Sequence, residues 1–376
     1  MTYFKTKYLL KLIVTLAISF LIGCDKEDAK VSEECVNEDF FTEFTSRNFK
    51  MGFSTWSFGP NEQDKDDTYQ FISENSDIYS EQIDDKIPWN SLINNQPLPD
   101  EFINEISFRV SKRVSNTQLL LSVSLLNTDR DNLLEDFDGS IPNYFSLSDK
   151  VIEDAYFKHV KYLIEQFQPD YLVVAMEVND LKLKSESKWS EYKILIQNVK
   201  VRIKQEYPSV KISESITLHN LYNPEVSNPT EYINEIVNYL NQMDFVAISF
   251  YPFFKGQHNR IEFQQAFDFL HSVINKPIAF VETTHIAENL SIPAFDLFIE
   301  GDECEQNAYL EILLANAQKE NYEFVIWWAY KDFDSLWQTF PDEVKDVGKL
   351  WRDTGLIDEN GNERKGYLTW RKAFNK

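Results

Sequence analysis

The chain has 376 residues, with 61 acidic against 37 basic side chains and a formal net charge of −24. So acidic a surface repels nucleic acid and anionic membranes, which excludes both as charge-driven partners, whereas a neutral ligand is indifferent to it. Aromatic residues make up 15%, with 8 Trp and 18 Tyr; flat apolar rings serve a core or stack on the faces of sugars.

Lys5, Lys7 and Lys11 stand before an apolar run from Leu12 to Ile22, which ends in Leu21-Ile22-Gly23-Cys24. A basic head, an apolar stretch of about 7–15 residues and small residues at the cut describe a secretory signal, too short to remain as a membrane span. The Leu-x-Gly-Cys ending resembles a bacterial lipobox. That resemblance implies removal of residues 1–23 and acylation of Cys24, with the protein held at the membrane through buried acyl methylenes alone. The alternative is an ordinary secreted protein with Cys24 as a spare thiol. Removal takes away three lysines and no acid, so the charge moves from −24 to −27. Residues 24–48 are acidic and aperiodic and read as a tether. The expected location is extracytoplasmic, anchored by lipid to a bacterial membrane. Cys35 and Cys304 remain, and an oxidising compartment leaves their pairing open.

Residues 49–376 carry no internal repeat and no low-complexity linker, so one folded domain is expected. Short β-branched runs alternate with amphipathic stretches, the pattern of βα units and a parallel sheet. Strands are predicted at Lys50–Thr55, Asp77–Glu81, Gln118–Leu125, Tyr171–Glu177, Lys211–Thr217, Phe245–Tyr251, Ile278–Glu282 and Phe324–Ala329. Helices are predicted at Ala155–Phe167, Trp189–Glu206, Tyr232–Met243, Phe263–Val273 and Glu305–Glu320. Pro169, Pro208 and Pro277 each fall between a helix and the next strand, where a residue that cannot continue a helix belongs. Eight strands interleaved with helices predict a (β/α)8 TIM barrel over residues 49–376; an open sheet is the alternative.

Such a barrel places its active site where the strands end at the C-terminal face. Tyr171–Glu177 and Pro277–Glu282 are apolar runs that each finish in a carboxylate. An acid at the end of an apolar strand costs several kcal/mol unless its neighbours neutralise or use it. Two of them, on strands four and seven, face each other across the mouth. Retaining glycosidases need two carboxyls about 5–5.5 Å apart, one to protonate the leaving oxygen and one to attack the anomeric carbon. The plainer reading is that each glutamate caps a helix or pairs with a lysine.

These residues resemble the clan of (β/α)8 glycoside hydrolases that carry the acid/base glutamate after strand four and the nucleophile after strand seven. Within it the chain is most similar to glycoside hydrolase family 53, the arabinogalactan endo-β-1,4-galactanases. Phe245–Phe254 resembles that family's sixth strand, with its Ser-Tyr-Tyr-Pro-like ending, and Val281-Glu-Thr-Thr-His285 its nucleophile strand. Gly355–Asn362, followed by Tyr367–Phe374, is similar to the last loop and closing helix of many clan members. The resemblance implies Glu177 as acid/base, Glu282 as nucleophile and a β-linked polysaccharide substrate, with galactan first and mannan, xylan or another glucan behind it. One position departs: Met176 stands where clan members carry the Asn that holds the sugar 2-hydroxyl.

Other candidates follow from their places at strand ends. Tyr251 ends strand six beside Glu282 and could align it, or pack under Pro252. Either Trp327 or Trp328 faces the mouth, because successive side chains alternate along a strand; Trp328 is the candidate platform, with Trp56 at the end of strand one. Asp84 and Trp89, in the loop after strand two beside Asp85 and Lys86, combine acids with an indole, or form a solvated loop. Asn127, with Asp129 and Arg130 close behind, Asn179, His219, Asn220 and His285 are subsite or loop residues. No Cys or His cluster has metal-ligand spacing, so neither metal nor cofactor is expected, and a monomer suffices. A reading from another class is a surface glycan-binding lipoprotein that keeps the barrel without catalysis.

Overall fold

A computed structural model describes residues 44–376. The expected signal at 1–23, Cys24, Cys35 and most of the tether at 24–48 lie outside the described residues. The folded body begins before the expected boundary: Phe44 is buried against Phe49, and the Arg47 guanidinium pairs with Asp77.

Eight strand positions form one parallel sheet: β1 Lys50–Ser54, β2 Ile78–Ile83, β3 Gln118–Val123, β4 Tyr171–Val173, β5 in two pieces Lys211–Ser213 and Ser215–Thr217, β6 Val246–Phe250, β7 Ile278–Thr283 and β8 Phe324–Trp327. The ladder runs from the first piece of β5 through β4, β3, β2, β1, β8, β7 and β6 to the second piece of β5. Both ends of the ladder are therefore the same strand, and the sheet closes on itself as the (β/α)8 barrel the sequence predicts. Glu214, between the two pieces, turns outward into a buried site where Lys200 Nζ and Tyr239 Oη each donate at 2.7 Å and Tyr192 Oη donates as well.

Alternation along the strands divides the core in two. Ile78, Leu120, Tyr171, Val173, Phe245, Ala247, Val281, Phe324 and Ile326 fill the barrel interior. Their neighbours in sequence, such as Leu119, Leu121, Leu172, Val246, Phe280 and Val325, face outward against the helices. β1 needs glycine at position 52, since a Cβ there would lie 1.6 Å from the Ile78 carbonyl oxygen.

The outer helices include Glu62–Asn75, Asp100–Ser111, Lys150–Phe167, Glu186–Glu206, Pro229–Leu240, Arg260–Val273, Glu303–Glu320 and Lys365–Phe374. Most begin a few residues before the predicted starts, because capping residues such as Asn228, Asn259 and Asp302 lie upstream of the apolar pattern and accept first-turn amides. Five strands are shorter than predicted: β1 ends at Ser54, β3 at Val123, β4 at Val173 and β8 at Trp327, and β6 loses a residue at each end. Cys304 is disulfide-bonded, and its partner lies outside the described residues. Among the described residues no helix is long and apolar enough to cross a membrane.

Candidate active site

Both expected carboxylates reach the barrel mouth, and each does so through a break in its strand. β7 carries one extra residue relative to both neighbours: Ile248 pairs with Phe280 and Ser249 with Glu282, while Val325 pairs with Phe280 and Trp327 with Thr283. Such a bulge re-aims the side chains that follow it. It lets Val281 fill the interior and Glu282 still point into the mouth. β4 ends early, and Glu177 sits on a turn at φ +52° rather than on the predicted strand. A non-glycine residue in that region costs about 1–2 kcal/mol. Hydrogen bonds from the Glu177 amide to Ser215 Oγ at 2.9 Å and from the Val178 amide to the Ser215 carbonyl at 2.9 Å hold the turn.

The two acids share a frame. Ser249, the ladder partner of Glu282, donates from Oγ to Glu177 Oε1 at 2.7 Å. Arg130 donates to Glu177 Oε2 from Nη2 at 2.8 Å and from Nε at 3.2 Å. Glu282 accepts from Tyr251 Oη on one oxygen and from Gln82 Nε2 on the other. Burial works against ionisation of Glu177, but the Arg130 charge and the Ser249 hydroxyl outweigh it and hold the carboxyl below its ordinary range. Glu282 goes the other way: burial, then the charges of Glu177 and Asp84, push it well up against the opposing pull of Gln82 and Arg130. Two acids this strongly coupled titrate as a pair, and their surroundings pull them apart, Glu177 downward and Glu282 upward.

Two indoles form one wall. Trp56 and Trp328 lie 5.0 Å apart between ring centroids at 36°, and neither indole N–H finds an acceptor among the described residues. Trp327 is the outward member of its pair, fully buried with Nε1 donating to the Thr354 carbonyl at 3.1 Å. Beside Trp56 and Gln82 opens a cavity of ≈ 260 Å³ that extends to Asp84, Tyr69, Lys65 and Arg109. Asp84 is accessible from the mouth yet ringed by protein on its other sides, and that desolvation raises its pKa.

His219 borders Glu177. Its burial lowers the imidazole to about 4 against the opposing charge of Glu177, so the ring is neutral, and its Nδ1 has no partner among the described residues. Asn127 acts at one remove: its side chain accepts from the Asp131 and Asn132 amides, and its carbonyl accepts from Arg130 Nη1 at 3.0 Å. That turn puts Arg130 at φ +52° and aims its guanidinium at Glu177.

Three expected subsite residues are not in the mouth. Trp89 is fully buried, its Nε1 donating to the Leu134 carbonyl at 2.8 Å and its ring against Tyr156. The chain turns at Pro88 into the helix Trp89–Asn94 and carries the indole into the outer core. Asn179 is also fully buried, its amide spent on Thr217 and Tyr232, so it cannot replace the missing Asn. Met176 itself packs into the barrel interior. His285 is fully buried between Phe253 and Phe263 rather than lining the mouth.

Gln82, Ser249 and Ser215 were not singled out from sequence. Gln82 lies one residue past the predicted end of β2, in phase with inward-facing Ile78 and Ser80. The same alternation marks Ser249 in phase with Ala247.

The sequence model of Glycosyl hydrolase family 53 matches residues 149–291, a span that includes Glu177, Tyr251 and Glu282. No curated protein matches at the level of sequence. Among solved structures, the exo-β-1,4-mannosidase of Opitutaceae bacterium strain TAV5 superposes with a TM-score of 0.62 at 11% identity, over 87% of this chain and 59% of that one. This chain thus spans less than two thirds of that relative. The GH53 catalytic domain of Ignisphaera aggregans gives a TM-score of 0.55 at 13% identity over 89% and 93% of the two chains. Xylanase 10B of Thermotoga maritima gives 0.56 at 14% identity over 90% and 97%. At these identities the superpositions establish the fold. The chain has the barrel of the (β/α)8 glycoside hydrolases and is similar to Glycosyl hydrolase family 53 over residues 149–291.

Proposed function

We propose that this protein is a retaining glycoside hydrolase acting on a β-linked polysaccharide, with Glu177 as acid/base and Glu282 as nucleophile. The observation that carries the reading is the pair itself: two carboxylates lifted into one barrel mouth by separate strand irregularities and linked through Ser249. Galactan is the first candidate substrate, from the family 53 likeness, and mannan and xylan follow from the solved relatives.

Glycosylation requires the Glu282 carboxylate to attack the anomeric carbon as the glycosidic C–O bond breaks, while Glu177 gives its proton to the leaving oxygen. Water then attacks the glycosyl-enzyme, and Glu177 takes the proton back. The free-state electrostatics run opposite to this, lowering Glu177 and raising Glu282. A substrate that draws Arg130 away from Glu177 removes the charge that holds Glu177 ionised and brings the proton to it. Trp56 and Trp328 offer a flat apolar wall on which a sugar face can stack.

The competing reading is a glycan-binding protein without hydrolysis, favoured by Met176, which offers no amide to the 2-hydroxyl. A panel of β-linked plant and algal polysaccharides separates the two. Hydrolysis of one member by the wild type, lost in Glu282→Ala with binding retained, supports catalysis. Binding of one member with no hydrolysis of any, and equal affinity in Glu177→Ala and Glu282→Ala, supports the binder.

We also propose that the protein works outside the cytoplasm, tethered through acylated Cys24. Fatty-acid labelling is expected to mark the wild type and not Cys24→Ala; equal labelling of both would refute the anchor.

A further inference from the structure

We propose that His258, His285 and Glu305 form a binding site for one divalent transition-metal ion of the zinc class, outside the catalytic mouth. Their ligand atoms all lie within 4.8 Å of one another. His258 Nδ1 is 2.5 Å from Glu305 Oε1, and His285 Nε2 is 3.4 Å from the same oxygen. The ligands come from the segment after β6, the segment just after β7 and the first turn of the helix Glu303–Glu320. Scattered this way, they present no ligand motif in the sequence.

His285 supplies the argument. Its Nδ1 lies 3.0 Å from the Ile286 carbonyl oxygen, and its Nε2 lies 3.4 Å from both the Gln257 carbonyl oxygen and the Glu305 carboxylate. Each ring nitrogen therefore faces oxygen acceptors. A neutral imidazole has one N–H, so either tautomer aims a lone pair at an oxygen. An imidazolium would satisfy both sides, but the ring is fully buried, and burial disfavours the charged form. A metal ion on Nε2 resolves the conflict. Nδ1–H then donates to the Ile286 carbonyl, the outer hydrogen bond that fixes the tautomer of a ligating histidine.

Two imidazoles and one carboxylate suit zinc better than calcium or magnesium, which take oxygen ligands. Zinc bonds of about 2.0–2.2 Å imply edges of about 3.4 Å in a tetrahedron, close to the His285–Glu305 separation. His258, 37% exposed, has room to open from Glu305 by about 1 Å to meet that edge. The Gln257 carbonyl or a water takes the fourth position. Because Gln257 and His258 follow Tyr251 after β6 and His285 follows Glu282 just beyond β7, the ion would clamp the hydroxyl donor and its carboxylate together.

The test uses the full chain after chelator treatment, titrated with zinc chloride by calorimetry and thermal unfolding. About one equivalent of zinc is expected to bind and raise Tm, with affinity reduced at least tenfold in His258→Ala and Glu305→Gln. Circular dichroism of the metal-free variants checks that they fold like the wild type. Excess calcium should leave zinc binding unchanged, because the oxygen-only groups around Asp332 and Asp353 are separate. No zinc uptake by the wild type, or undiminished uptake by both variants, would overturn the site.

Discussion

Glu177 and Glu282 reach the mouth because their backbones leave the strand pattern, one at positive φ and one after a bulge. Neither device can be read from alternation, which is why the sequence identified the two glutamates but not the manner of their arrival. It also passed over Gln82 and Ser249, which need only one more step of in-phase counting, and it kept Trp89 and His285 as candidates for a mouth they do not line. The burial of those two depends on where a loop turns, at Pro88 and beyond Thr284, rather than on residue type. Arg130 is the residue whose consequence is most directly measurable. Its guanidinium is the first influence holding Glu177 below its ordinary range against burial. In Arg130→Gln burial dominates, the Glu177 pKa rises, and the pair keeps its last proton to higher pH. The alkaline limb of the kcat/KM profile should therefore move upward, since that limb reports loss of the acid's proton in the free enzyme. An unmoved limb would mean that Arg130 does not set the acid's ionisation.

Among the elements, the strands were the more legible and their ends the less. β-branched runs located all eight, but β4 is three residues long where seven were expected, because the chain must turn to present Glu177. Helix starts were placed late because apolar periodicity begins after the polar caps. One cross-link between elements has a pH signature. Glu235, on the helix Pro229–Leu240, accepts from Lys182 at 2.6 Å and from Lys193 at 2.8 Å, and Trp189 Nε1 donates to it at 2.7 Å. It thereby joins the short helix Asn179–Lys184 and the long helix Glu186–Glu206 to its own. Partial burial opposes ionisation, but these donors outweigh it and bring the carboxyl from 4.5 down to about 2. A folded pKa below the unfolded one adds stability that is complete above about 4.5 and is lost as pH falls toward 2. Glu235→Gln should accordingly lower stability at neutral pH by about 1 kcal/mol and lose less Tm than the wild type on acidification. Parallel Tm curves for the two proteins between pH 5 and 2 would rule this cross-link out as a source of acid sensitivity.

For the whole molecule, the count of eight strands fixed the architecture in advance, while the seam where the barrel closes was invisible. The seam is Glu214, where β5 hands its pairing from β4 to β6 and the carboxylate turns outward between two helices. It is fully buried, and Lys200, 12% exposed, is its cation. Two tyrosine hydroxyls occupy its remaining acceptor sites. Removing one member of a buried ion pair leaves an uncompensated charge and costs about 3–5 kcal/mol, whereas replacing both by neutral groups of similar volume costs far less. Lys200→Ala should therefore lower the unfolding free energy by about 3–5 kcal/mol in chemical denaturation. Lys200→Met combined with Glu214→Gln should recover most of that loss, since Tyr192 and Tyr239 can still donate to the glutamine carbonyl. Because the seam joins β4 and β6, which carry Glu177 and Ser249 to the mouth, the single variant should also lose activity at temperatures below its unfolding transition. The double variant should not. A loss below about 1 kcal/mol for Lys200→Ala, the range of a surface pair, would show that barrel closure does not depend on this ion pair.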